Sequence, residues 1–99
     1  MTAEPVALAI GRFAAEAQAR PLPAPVQDMV RRLIVDVAGL CVAARGTDYV
    51  AACLASAEGS GSSTALGHAQ PRNALDAALI NGTAAHGEDF DDTFEGGPV

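Results

Sequence analysis

A histidine, an aspartate and a threonine near the carboxyl end of the chain have types and spacing suited to proton transfer. His86, Asp89 and Thr93 follow one another at i, i+3 and i+7. At about 100° per residue in a helix, their side chains stay within about 60° of one another. Burial and charge can move the pKa values of a histidine and a neighbouring carboxylate apart, which tunes the pair for acid–base chemistry. A continuous helix would therefore make a proton-transfer site here; otherwise the same residues form a polar helix end in water.

The helix that would carry this group is predicted over residues 73–87. The positions that we expect to face the core are Leu75, Ala78, Leu79, Gly82, Ala85 and His86. Asp89 and Thr93 continue this face if the helix persists. Asp91 and Asp92 point away from it. The pattern thus places the candidate site on the inward side of the helix.

Three further helices are predicted upstream, near residues 5–19, 25–44 and 49–57. The clearest pattern runs from Val26 to Cys41, with apolar residues at i, i+3, i+4 and i+7 over about four turns. The prolines within residues 21–25 forbid a helix between the first two. Residues 59–63 have the composition of a flexible linker, and a short extended piece is expected at 63–66. The segment is therefore predicted to be all-α.

Composition and charge exclude several classes of protein. The chain carries 12 acidic and 6 basic residues, a net charge of −6, so it lacks the basic surface that nucleic acid or anionic lipid requires. No stretch approaches the roughly 20 apolar residues of a membrane span, and no secretory signal is visible. We expect a cytoplasmic protein in which Cys41 and Cys53 are reduced.

Residues 91–95 allow a second interpretation, as a magnesium site. Asp91, Asp92 and Glu95 have the D-D-x-x-E spacing with which some helical isoprenoid synthases hold Mg²⁺ against a diphosphate. Oxygen ligands do suit Mg²⁺. However, the Gly-Gly-Pro sequence that follows breaks the helix, and the chain has no lysine to meet a diphosphate. A magnesium-dependent diphosphate enzyme is therefore the less favoured alternative.

Around the same residues the sequence resembles the N-terminal part of the MmgE/PrpD family. The family signature is an Asn-Gly-x-Ala-x-His helix end followed by Asp-Phe-Asp-Asp-Thr, and residues 81–86 and 89–93 match it without a gap. The likeness extends upstream through residues 33–40 and the Leu22-Pro23 connector, and so covers nearly all 99 residues. The family contains 2-methylcitrate dehydratase, cis-aconitate decarboxylase and iminodisuccinate epimerase.

The resemblance implies a larger architecture than 99 residues provide. The family fold is a large all-helical domain plus a smaller α+β lid domain, usually in a homodimer, with no organic cofactor or metal. Residues 1–99 would be an incomplete N-terminal portion of the helical domain. A further active-site histidine, in a His-Pro pair, would be expected directly after Val99. We therefore expect the 99-residue chain alone to be inactive.

The resemblance also implies an activity and its residues. The family's active-site aspartate and threonine fall on Asp89 and Thr93, and His86 is a third candidate catalytic residue. Asp89 would transfer a proton or orient a neighbouring histidine, and Asp89 and Thr93 would both bind substrate, with Thr93 donating a hydrogen bond to a substrate carboxylate. The implied function is that of a lyase or isomerase acting on a small polycarboxylic acid, most like 2-methylcitrate dehydratase. The alternative is a non-catalytic helical binding or assembly module with the family scaffold.

Overall fold

Four α-helices make up most of the part of the chain that the structure describes. A computed structural model describes residues 3–90, 93–94 and 97–98, the last four positions by their backbone alone. The helices are α1 (Val6–Ala19), α2 (Ala24–Ala44), α3 (Asp48–Ser56) and α4 (Ala74–His86). Each boundary differs from the sequence-based expectation by no more than one residue. The predicted all-α class is confirmed.

The first of two compact units comprises residues 1–30, with α1 and the beginning of α2. An ion pair between Arg12 and Glu4 joins α1 to the residues before it. The Gln27 side chain donates a hydrogen bond of 2.7 Å to the carbonyl of Leu22, which fastens the proline-rich connector to the first turn of α2. Within α1, whose residues are all described, no side chain is buried.

The second unit comprises residues 31–99 and contains the core. Its buried cluster joins the end of α2 to α3, α4 and the loop between them, through Cys41, Ala44, Val50, Ala65, Ile80 and Ala84. Three of these six residues are alanines. Small side chains let helices approach closely, and each methyl group removed from water contributes about 0.8 kcal/mol or less. The core is therefore tight but small.

The loop before α4 is fixed by the first turn of that helix. Asn73 caps α4, because its side-chain oxygen accepts a hydrogen bond of 2.7 Å from the N–H of Asp76. The Asp76 carboxylate in turn accepts hydrogen bonds of 3.0 Å from the Asn73 amide and from the N–H of Gly59. The interpretation of residues 59–63 as a flexible linker was therefore wrong at both ends of the run, since Gly59 is hydrogen-bonded to the first turn of α4 and Ser63 to Arg72.

Short pieces of extended backbone accompany the helices. Ser63 and Arg72 pair antiparallel through two hydrogen bonds of 2.9 Å. The predicted extended piece at 63–66 is thus confirmed at its first residue, and the chain turns beyond it. Near the end, β1 (Thr93–Phe94) and β2 (Gly97–Pro98) pair antiparallel, with Thr93 opposite Pro98.

Among the residues that the structure describes, no single helix has the length and apolar composition needed to cross a membrane. The consecutive helices α2 and α3, which meet at a bend, satisfy that test only when they are taken together.

Candidate functional site

The candidate site lies where α4 ends. The last helical residue is His86, and the N–H of Gly87 closes the helix with a hydrogen bond of 2.9 Å to the carbonyl of Thr83. The chain then turns, and the N–H of Asp89 donates a hydrogen bond of 2.8 Å to the carbonyl of His86. Asp89 has a φ of 59°, in the left-handed region that aspartate enters more readily than most residues.

This turn changes the relation between the predicted site residues. Because α4 stops at His86, the helical face expected to align His86, Asp89 and Thr93 does not form. A tight turn joins His86 to Asp89 instead, and the side chains of both residues are exposed. The side chain of Thr93 lies outside the described part of the chain. The assignment of the three residues to one site remains a prediction.

The burial of α4 also differs from the expectation. Ala77, Ile80 and Ala84 are the buried residues of this helix. Leu75 and Leu79, which were expected to face the core, are 79% and 52% exposed. The remaining members of the expected inward face are exposed too, except for the half-buried Ala85: they are Ala78, Gly82 and His86. The predicted inward face was therefore wrong, because small alanines and Ile80 pack against the core in place of the leucines.

A shallow groove runs along the exposed side of α4 near its carboxyl end. Its volume is about 530 Å³. Most of the wall is apolar, and Tyr49 of α3, Thr83 and His86 supply the polar groups. A groove of this kind can hold the carbon skeleton of a small molecule beside a few hydrogen-bonding groups. His86 lines the groove, whereas Asp89 belongs to the turn beyond it.

The sequence did not predict the contact between Tyr49 and the turn that joins His86 to Asp89. The Tyr49 hydroxyl donates a hydrogen bond of 2.7 Å to the Glu88 carboxylate. This bond favours the protonated phenol and so raises the pKa of Tyr49 above its ordinary value. A Cβ added at Gly87 would lie 2.7 Å from the Tyr49 hydroxyl oxygen, so the ring approaches as closely as it does because residue 87 is glycine. In the sequence, the glycine directly after His86 was the one feature that indicated a close approach by another side chain.

The metal interpretation finds no support within the described residues. Over 3–90, no group of three or more histidine, cysteine, aspartate or glutamate side chains is placed to hold a metal ion. Asp91, Asp92 and Glu95 of the D-D-x-x-E sequence lie outside the described residues. The magnesium site therefore stays a prediction from the sequence.

Together these features define a helical domain segment that presents a polar turn beside an exposed, mainly apolar groove. The chain belongs to the MmgE/PrpD family, because the model of the MmgE/PrpD N-terminal domain matches residues 8–99. This match confirms the resemblance read from residues 81–86 and 89–93. The family includes lyases and dehydratases. Comparisons with curated proteins and with solved structures gave no match.

Proposed function

We propose that this chain supplies part of the active site of a cofactor-independent lyase or isomerase acting on small polycarboxylic acids, most like 2-methylcitrate dehydratase. The observation that carries the proposal is the family match over residues 8–99. Dehydration, decarboxylation and epimerisation in this family share a carbanion or enolate-like species next to a carboxylate. A chain with this scaffold needs groups that move a proton at that carbon and donors that stabilise the developing charge.

The turn after α4 offers groups of the required kinds. In a dehydration, a base removes the proton from the carbon next to the carboxylate, and the released electron pair forms the carbon–carbon double bond. The hydroxyl group on the neighbouring carbon leaves with a proton from an acid, as water. We assign proton transfer to Asp89, with His86 as the second titratable group three residues earlier. Thr93 donates a hydrogen bond to a substrate carboxylate.

Charge sets a further requirement for this function. The chain has a net charge of −6, and a tricarboxylate substrate is also an anion. We propose that a partner subunit contributes cationic groups that bind the substrate carboxylates, because the six basic residues of this chain are outnumbered by twelve acidic ones. On the same family basis we propose a homodimer, and from the sequence composition we propose a cytoplasmic location.

The proposal is tested by measuring the turnover of several candidate substrates by the protein expressed from its complete reading frame. Purified protein is incubated in EDTA with 2-methylcitrate, cis-aconitate or iminodisuccinate in turn, and products are identified by NMR. We expect turnover of one member of the panel, with 2-methylcitrate first. A folded protein that turns over none of them would overturn the proposal and favour the non-catalytic module. In a separate incubation with an isoprenoid diphosphate, turnover that requires added magnesium would favour the magnesium enzyme.

A further inference from the structure

We propose that Tyr49 is a positioning residue, which holds the turn between His86 and Asp89 in place from the neighbouring helix. The inference rests on the proposed function, because it concerns the geometry of the proton-transfer group. Tyr49 is not assigned a contact with substrate.

Two independent contacts join Tyr49 to the turn. Its hydroxyl donates to the Glu88 carboxylate at 2.7 Å, across 39 positions of sequence. Its ring lies against Gly87, where any added side chain would collide with it. Gly87 and Glu88 are the two residues between His86 and Asp89. Both contacts therefore act on the short backbone segment that separates the two candidate catalytic groups.

Burial does not fix this turn. Residues 86–90 are all exposed, and Phe90 is 66% exposed. Within the turn, the backbone contributes the hydrogen bonds from Gly87 to Thr83 and from Asp89 to His86. A polar turn without buried side chains opens easily unless other contacts hold it. The contacts with Tyr49 supply that restraint.

Tyr49 is itself held by a rigid element. It is half-buried, and the next residue, Val50, is fully buried in the core at 0% exposure. Helix α3 packs against α4 through this region, so the phenol ring and the end of α4 keep a defined separation. Misplacing a catalytic group by about 1 Å can cost about 100-fold in rate. Loss of the hydroxyl should therefore lower the rate of the chemical step.

The test uses the product of the complete reading frame and the substrate it turns over. Tyr49→Phe removes the hydroxyl and keeps the ring, and Glu88→Ala removes the acceptor. Glu88→Gln keeps an oxygen that can accept the same hydrogen bond. Glu58→Ala is the matched control, since Glu58 is an exposed glutamate outside the turn. For each variant, kcat, KM and the thermal midpoint are measured.

We expect Tyr49→Phe and Glu88→Ala to lower kcat about 10- to 100-fold while KM changes less than about threefold. The double variant should be no slower than the slower single variant, because both remove one hydrogen bond. Glu88→Gln should recover most of the kcat that Glu88→Ala loses, and Glu58→Ala should match the wild type.

Three results would overturn the inference, and they are distinguishable. If the wild type is active and Tyr49→Phe retains its kcat, Tyr49 has no positioning role although the proposed function stands. If the folded wild type turns over no polycarboxylate, the proposed function fails, and the inference fails with it. A kcat loss that Glu88→Gln does not recover would also contradict the hydrogen-bond mechanism.

Discussion

Asn81 binds the loop before α4 through Leu66. Its side-chain oxygen accepts a hydrogen bond of 2.8 Å from the N–H of Leu66, and its amide nitrogen donates one of 2.8 Å to the carbonyl of Thr64. The backbone carbonyl of Asn81 also accepts a hydrogen bond of 3.4 Å from the Cys41 thiol. One residue thereby joins α4 to the loop and to α2. The asparagine of the Asn81-Gly82 pair therefore has a structural role, in holding the loop and α2 to α4, and needs no role in the reaction.

Asn81→Asp should destabilise the protein. The carboxylate can still accept from Leu66, but it cannot donate to Thr64, whose carbonyl then faces a negative charge. We expect the free energy of unfolding in urea to fall by about 1–3 kcal/mol. Gln70→Glu is the control, because it makes the same amide-to-carboxylate change at an exposed position. It should change the free energy of unfolding by less than about 0.5 kcal/mol. Equal losses in the two variants would contradict the assigned role of Asn81.

Gly87→Ala should disturb the turn directly. The new methyl group would overlap the Tyr49 ring, so the ring or the turn must move. We expect a loss of about 1–3 kcal/mol in unfolding free energy and faster amide hydrogen exchange over residues 87–90. Gly11→Ala is the control, because a Cβ at Gly11 meets no atom within 4 Å. That change, inside an exposed helix, should stabilise by about 0.5–1 kcal/mol.

Asp89→Asn tests the assignment of proton transfer. Asparagine has the same size and also tolerates left-handed backbone, so the fold should be kept. Turnover of the preferred substrate should fall by about 10²–10⁴-fold. Asp36→Asn, at an exposed position in α2, should leave turnover within about twofold of the wild type. Similar, small effects of both substitutions would show that Asp89 does not transfer the proton.

The stability of the fold should decrease in alkaline solution. Burial raises the pKa of the Cys41 thiol, and the hydrogen bond to Glu88 raises that of Tyr49. In both cases the folded state binds the proton more tightly than the unfolded state. This stabilisation is complete below the ordinary pKa values, about 8.5 for cysteine and about 10 for tyrosine, and is lost as the pH rises through the raised values.

The corresponding measurement is the urea midpoint between about pH 8 and pH 11. Wild-type protein should lose stability throughout this range. Tyr49→Phe has no phenol to ionise, so its midpoint should decline less steeply above about pH 10. Identical slopes for the two proteins would contradict the coupling of Tyr49 to folding.

The 99-residue chain expressed alone should self-associate and should show no turnover. Large apolar side chains are exposed on several helices, including Phe13 at 69%, Ile34 at 63% and Leu75 at 79%. Exposed apolar surface of this extent promotes association. Sedimentation velocity over a range of concentrations should show species heavier than 10.0 kDa. A monomer at every concentration, with cooperative unfolding, would contradict the prediction.

The sequence predicted the helices well and the orientation of α4 badly. Proline restricts the backbone and glycine gives it the freedom to leave the helical conformation, so both mark helix ends and those boundaries can be read locally. The buried side of α4 cannot be read in this way, because apolar residues lie on more than one side of it. Leu75 and Leu79 outweigh Ala77 and Ala84 in hydropathy, yet the alanines are buried. Close packing selected side-chain size, which periodicity does not measure.

Some features of the candidate site could likewise be predicted from the sequence and others could not. The residue types around His86 and Asp89 were evident from the sequence, as was the family. The end of α4 was also predicted to within one residue, but the left-handed turn at Asp89, which prevents the expected helical face from forming, was not. The contact from Tyr49 is a tertiary one across 39 positions, and only the folded chain brings the two partners together.

The backbone conformation of Asp89 limits what evolution or a selection experiment can place there. With φ at 59°, position 89 admits glycine, asparagine and aspartate at little cost, whereas β-branched residues are strongly disfavoured. A saturation library screened for folding alone should therefore be enriched in those three residues. The same library screened for turnover should return aspartate only. The difference between the two lists separates the demand of the backbone from the demand of the chemistry at one position.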